Sequence, residues 1–491
     1  MLLFLIVLCP IAAAVSIMIG APARATALLA SIVTLLMTLL AVAWFDAGSR
    51  EFQYVISFPV STDWGINFAL GLDGLSLVMI LLAAIVTVAA VWFTDKIDNY
   101  EHSFYACLLF ISGGALGAFA SLDLFFFYAF HELALIPTFL LIGIWGSDNR
   151  TAAAWKITIY LALGSFILLL GLIMLYQSVP VASRTFDIRE LQEAARQIAP
   201  VAQRNIYLVL LVGFGILVSL FPFHTWAPDA YAAAPAPAAM LHAGVLKKFG
   251  LYGLLRLAVP LLPEGGRYWT NLLLVLLLGN IIYIGLVTIA QRRLDRMLGY
   301  SSVMHMGYIF LGIASSNLLG VTGASILMFA HGLSIALLFA VAGEVRKRTN
   351  TLVMSDLGGL AKVMPFAGLA FGFGAFAAIG LPGFANFAAE VMIFFGAFRN
   401  GFAMERFHIF QVATVLALWG VVISAVYMLR AYRRVFMGAM DDRWKELVDL
   451  RHGLRLPVAL LIAALLWFGF YPQSLVRILS PVFETYLKQQ P

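Results

Sequence analysis

The chain has 491 residues, 62% of them hydrophobic and 11% charged, with a mean hydropathy of +0.95. A soluble domain keeps roughly a quarter of its residues charged, so this composition excludes a mainly water-facing globule. The net charge of +6 follows from basic residues flanking membrane spans and calls for no nucleic acid partner.

In a bilayer the backbone must satisfy its own hydrogen bonds, which leaves helices or a closed barrel. The apolar runs last about 18–25 residues, enough for a helix to cross ~30 Å of hydrocarbon. They do not alternate as barrel strands would. The expected fold class is an all-α integral membrane protein of about fourteen transmembrane helices. In chain order the predicted spans are 2–19, 26–46, 73–94, 103–121, 123–146, 153–178, 204–222, 239–261, 270–291, 302–316, 318–345, 363–398 (broken), 409–435 and 457–476. The first run lacks a basic n-region and reads as a retained helix, not a cleaved signal. Cys9 and Cys107 lie within apolar runs, form no metal spacing and read as packing residues.

Loop charge orients the bundle. Connections after odd-numbered spans are rich in cations, among them Arg292, Arg293, Arg296, Arg346, Lys347, Arg348, Arg430, Arg433 and Arg434. Those after even spans hold fewer: Arg50, Arg184, Arg189, Arg196, Arg256, Arg267, Arg399 and Arg406. By the positive-inside rule the odd loops face the cytoplasm and both termini lie on the other side.

Phe221-Pro222-Phe223-His224 interrupts the seventh span and Gly380-Leu381-Pro382-Gly383 the twelfth. An odd number of spans separates the breaks, so successive five-helix units run in opposite directions, the pattern of an inverted repeat with ion sites at the breaks. Pro and Gly also occur in membrane helices merely as kinks. The predicted organisation is 1–102 (helices 1–3), 103–262 (first repeat, helices 4–8), 263–436 (second repeat, helices 9–13) and 437–491 (helix 14).

Ionisable groups at membrane depth cost several kcal/mol each and need a partner or a function. Glu132 stands in the fifth span, Lys156 in the sixth, Lys247 and Lys248 in the eighth, His305 in the tenth, His331 in the eleventh and Glu390 after the second break. Singly, each has an ordinary reading: a lone histidine is usually a hydrogen-bonded core residue, and Lys156 can snorkel to an interface. Together they supply carboxylate, amine and imidazole along one bundle, the material of a proton relay. There is no GxGxxG after a strand, no Walker loop, no CxxC and no HExxH. Any redox chemistry belongs to another polypeptide.

The ordered motifs GLDGLSLVMILL, HELALIPTFLLIGIWG, FPFHTWAPDAYAAAPAP, GVLKKFGLYGLLR, GYSSVMHMG, AHGLSIALLF and LPGFANFAAEVMIFFGAF resemble the chain M family of bacterial NADH:quinone oxidoreductase (complex I), counterparts of mitochondrial subunit 4. The likeness covers about residues 70–440. The wider family includes chains L and N and subunits of multisubunit sodium/proton antiporters. The glutamate after the second break is M-like; L and N chains carry lysine there. The resemblance implies proton translocation driven by quinone reduction elsewhere in the complex. Glu132, Lys156, Lys248, His305, His331 and Glu390 match the family's relay positions. Flavin, iron–sulfur clusters and quinone are expected on partner subunits and none on this chain. The expected partners are membrane-arm neighbours of the L and N type and the lipid of a bacterial inner membrane. Two other readings stay open: a sodium/proton antiporter subunit, and a scaffold that moves no protons.

Three positions depart from the family's pattern. A lysine seven residues before His224, expected to pair with the fifth-helix glutamate, is Leu217. The aromatic before that glutamate is His131, and a lysine before the tenth span is Asp295. The nearest substitutes for that charge are His131, which points about 100° away from its neighbour Glu132, and Lys247, an additional amine beside Lys248. Either Lys247 supplies the charge for Glu132 or this half-channel is silent.

Overall fold

The computed structural model describes residues 1–61, 64–400 and 408–488. The predicted Arg406 and the last residues of 437–491 lie outside them. The long helices are α1 (Leu2–Met18), α2 (Ala23–Ala43), α3 (Gly74–Phe93), α4 (Glu101–Ala120), α5 (Leu124–Trp145), α6 (Arg150–Ser178) and α8 (Pro200–Val218), with the short α7 (Ile188–Ala194) before the last. The eighth predicted span is assembled from pieces: α9 (Trp226–Ala233) leads in, then α10 (Ala236–Leu241), α11 (Lys248–Gly253) and α12 (Val259–Leu261) alternate with π-helical turns at His242–Leu246 and Leu254–Ala258. Next come α13 (Pro263–Leu278) and α14 (Gly285–Ala290), joined by a third π segment, and α15 (Leu294–Ala314), α16 (Leu318–Thr349), α17 (Pro365–Ile379), α18 (Ala385–Arg399), α19 (Ile409–Phe436), α20 (His452–Phe470) and α21 (Gln473–Lys488).

Among the described residues, eleven helices are long and apolar enough to cross a membrane. The first, eighth and twelfth predicted spans fall outside that set: α1 is short, and the other two are divided. The tenth helix begins at Leu294, well before the predicted 302, because its charged first turn is held by ion pairs. The fold also departs from an all-helical reading at an antiparallel hairpin, β1 (Gln53–Ser61) with β2 (Ile66–Leu72), whose register pairs Ile56 with Leu70 and Phe58 with Phe68.

Burial separates centre from periphery. The spanning windows of α3, α15 and α16 are 100%, 94% and 94% buried, whereas those of α2 and α20 are 33% and 28%. The long helix α16 packs against α3, α15, α17, α18 and α20 and forms the axis of the bundle. Trp155, Ile159, Phe166 and Leu170 are exposed along α6, an apolar face suited to lipid or neighbouring membrane chains.

Two helices are broken as the sequence predicts. α8 stops at Val218, where Ser219 turns left-handed, and the chain resumes as α9. The carbonyl of Ile216, which closes the last turn with the Ser219 N–H, also accepts from the Trp226 indole at 3.1 Å. Asn280, within the third π segment, stitches the gap. It accepts from the Phe221 N–H at 2.6 Å and donates to the carbonyls of Ser219 (3.2 Å) and Val303 (2.8 Å). α17 stops at Ile379 with Gly380 left-handed, and α18 begins beyond Gly383. Helix ends leave carbonyls without intrahelical partners, so each break is also a source of acceptors.

Candidate functional site

The eighth segment carries both lysines, and its π turn decides where they point. A π turn inserts one residue and rephases the helix beyond it, and such turns gather at functional sites. Lys248 is fully buried; its ammonium donates to the Ala243 carbonyl at 2.5 Å, within that turn, and meets Nδ1 of His331 at 3.0 Å. The His331 and His305 rings lie 5.5 Å apart. Nδ1 of His305 is 2.7 Å from the Ser301 carbonyl, and Nε2 is 2.8 Å from the carbonyl of Ala378, in the last turn before the second break. Both neighbours are acceptors, so a neutral ring satisfies one and turns a lone pair to the other. A proton on His305 therefore has a seat on either side.

Beyond the break Glu390 is buried, its carboxyl group against Gly380, and its Oε1 has no hydrogen-bond partner among the described residues. Tyr308, on α15 beside His305, has its ring 5.8 Å from the imidazole, and its buried hydroxyl is likewise unpartnered among those residues. Tyr427 shares a 2.9 Å hydrogen bond with Ser301. Lys248, His331 and His305 thus form one buried file, with His305 mid-way along the 21-residue α15, Tyr308 beside it and Glu390 across the second break.

Cavities that include charged or polar residues in their walls lie at the two ends of α15, about 30 Å apart at 1.5 Å per residue. At its start, a cavity of about 260 Å³ is lined by Asp148, Lys156, Asp229, Arg293 and Arg296, and one of about 200 Å³ by Ser147, Tyr231, Asp295 and Arg346. At its end, a cavity of about 320 Å³ is lined by Tyr207, Arg267, Thr270, Ser315 and Asn400.

The remaining predicted site residues stand outside that file. Lys156 pairs with Asp229 at 2.7 Å, both about one-third exposed, and Arg296 reaches the other Asp229 oxygen at 3.5 Å. Glu132 is half-buried and is bonded by the Ser165 hydroxyl, which also reaches the Tyr128 hydroxyl at 3.2 Å. The expectation that Lys247 supplies the charge facing Glu132 is corrected. Its ammonium donates to Ser302 at 3.4 Å and sits 5.6 Å from the Tyr231 ring centroid, on the α15 side of its helix. Asp295 holds Arg293 (2.9 Å) and Arg346. Arg256, expected to be a loop cation, is fully buried and clasps Asp73 at 2.5 and 2.6 Å, with Tyr486 also in contact.

Sequence reasoning missed Asp229, Tyr231, His242, Ser302, Tyr308 and Tyr427. The usable signal was proximity to a charged residue: Ser301, Ser302 and Tyr308 lie within a turn of His305, and Asp229 and Tyr231 lie in the APDAYA run after the first break.

The family model described as NADH:quinone oxidoreductase/Mrp antiporter, transmembrane, matches residues 121–417, from the start of α5 to within α19 and across both breaks. The chain belongs to this family. NADH-quinone oxidoreductase subunit M of Rickettsia typhi is 32% identical over 94% of this chain and 91% of its own length. F(420)H(2) dehydrogenase subunit M of Methanosarcina mazei is 35% identical over 92% and 90%. A chain of respiratory complex I from Thermus thermophilus with bound NADH superposes with a TM-score of 0.91, at 28% identity, covering both chains fully. A chain of the Mrp complex from Dietzia shares the fold at a TM-score of 0.84 and 20% identity, over 100% of this chain and 98% of that one.

Proposed function

We propose that this family member is a proton-translocating, antiporter-like subunit in the membrane arm of a respiratory quinone oxidoreductase. The observation that carries the reading is the buried series of contacts from Lys248 through His331 to His305, whose Nε2 reaches the Ala378 carbonyl just before the break that carries Glu390. A charge at membrane depth costs about 2.5–3.5 kcal/mol even by the mildest scales, and such groups mark ion pathways. The Lys248–His331 contact is short enough for a proton to pass between amine and imidazole. The His305 ring, seated between two carbonyls, then offers it to the break where Glu390 lies.

In this reading Lys156 and Lys247 stand outside the file on its entrance side, and Glu132 serves the first half of the bundle. Lys156 is held by Asp229 at the cavity mouth, and Lys247 sits behind Tyr231. The segments 103–262 and 263–436 are then two inverted units, each with its own break, flanked by 1–102 and 437–491. Flavin, iron–sulfur clusters and quinone would reside on partner subunits, with L- and N-type chains as neighbours in a bacterial inner membrane and both termini non-cytoplasmic. Relatives named for NADH and for F(420)H(2) align over nearly the whole chain, as suits a subunit remote from the electron donor.

Purification of the tagged chain in mild detergent tests the reading. Co-purifying subunits that carry flavin and iron–sulfur absorbance are expected. An assembly of membrane chains without redox centres would instead establish an ion antiporter.

A further inference from the structure

His131 is buried at 8% exposure, and neither of its ring nitrogens has a hydrogen-bond partner among the described residues. Its ring stacks on Phe249 at 4.0 Å and 5°, which fixes the plane but satisfies no polar atom. Buried polar groups without partners cost about 1–3 kcal/mol each, so an unpaired imidazole points to an unseen partner. That partner has a place. His131 lines a cavity of about 10 Å³ with Thr138, Leu161, Leu217, His242 and Leu246. This is the space of a single water, and a buried water needs two to four polar contacts. His242 lines the same cavity and is itself buried. Its Nδ1 lies 3.2 Å from the Tyr231 hydroxyl, and Tyr231 in turn lines the roughly 200 Å³ cavity at the start of α15.

We propose that His131 and His242, joined by one water in the cavity beside Leu217, form an imidazole branch that carries protons from the Tyr231-lined cavity into the first half of the bundle. The step balances as a single proton displacement. Tyr231 passes its hydroxyl hydrogen to Nδ1 of His242 and takes one from water in the cavity behind it. His242 releases the hydrogen on Nε2 to the bridging water, which gives one of its own to His131. The branch ends within the helix layer that carries Lys247 and Lys248, since Phe249, under His131, follows Lys248 directly. It also accounts for Leu217: the apolar side chain walls the water in, and the ionisable groups stand on α5 and the eighth segment instead of on α8.

The inference rests on the proton-moving reading of the central file, and its test separates the two. The intact complex is reconstituted into vesicles as wild type and as His131→Phe, a change that keeps the stack on Phe249, and quinone-driven proton uptake is measured. Uptake in the variant should fall roughly tenfold, the effect of about 1.4 kcal/mol added to one transfer step, with assembly intact. Wild-type uptake with an equally active variant overturns the imidazole branch alone. Wild-type vesicles that reduce quinone without moving protons overturn the function and the branch together. A high-resolution cryo-EM map of the wild-type complex should show one water between the two rings. A dry cavity overturns the branch whether or not the variant assembles.

Discussion

At Gly380 the backbone sits at φ +80°, and a Cβ built there meets the Glu390 carboxyl group. A side chain in the left-handed region costs about 1–2 kcal/mol, and the contact would also push the carboxylate away from the break. Gly380→Ala is expected to lower the melting temperature of the complex by a few degrees and to depress proton uptake more than quinone reduction; parallel melting and uptake assays check this. The residues of the central file were legible because charge stands out in an apolar run: Lys248, His305, His331 and Glu390 needed no structure to be noticed. Their partners were not legible. Lys156 and Asp229 are 73 positions apart, and Lys247 and Lys248, adjacent in sequence, diverge to Ser302 and His331 through contacts made by two other helices. Pairing of that kind is set by packing, which periodicity does not encode.

The elements that matter most are the imperfect ones. Asn280 holds the first break with three hydrogen bonds, and bonds within membrane bundles average about 0.6 kcal/mol with a maximum near 1.7. Asn280→Leu should therefore cost about 2 kcal/mol and loosen the break, read as a lower melting temperature of the complex and faster hydrogen exchange at Phe221. The buried pair of Arg256 and Asp73 ties the eighth segment to the start of α3, with Ser76, Tyr252 and Tyr486 completing the donor and acceptor set. Removing one partner of such a pair costs about 3–5 kcal/mol, whereas replacing both with apolar residues is far milder. Arg256→Leu should impair assembly, and the double change with Asp73→Leu should recover part of it, as the yield of intact complex would show. Both breaks were foreseeable from Pro and Gly. The three π turns were not, because each keeps an ordinary helical composition and depends on neighbouring side chains. The hairpin was missed because its strands interrupt apolar alternation with Pro59 and Gly71. The amphipathic α21 was missed because it follows α20 almost without a loop.

For the whole molecule, composition pointed to a membrane and the length of the apolar runs to helices, while the partners in assembly are not written in either. The purified chain by itself should oxidise no NADH and show no flavin or iron absorbance; a bound redox centre in its optical spectrum would refute the division of labour between subunits. The buried file is proposed to move protons. The most direct test is quinone-driven proton uptake by vesicles holding the intact complex, wild type against Lys248→Ala. Loss of the amine removes the donor to His331 and leaves an unbridged gap in low-dielectric surroundings. The predicted result is a fully assembled complex whose proton uptake falls far below wild type. Uptake equal to wild type in a normally assembled Lys248→Ala complex would contradict it.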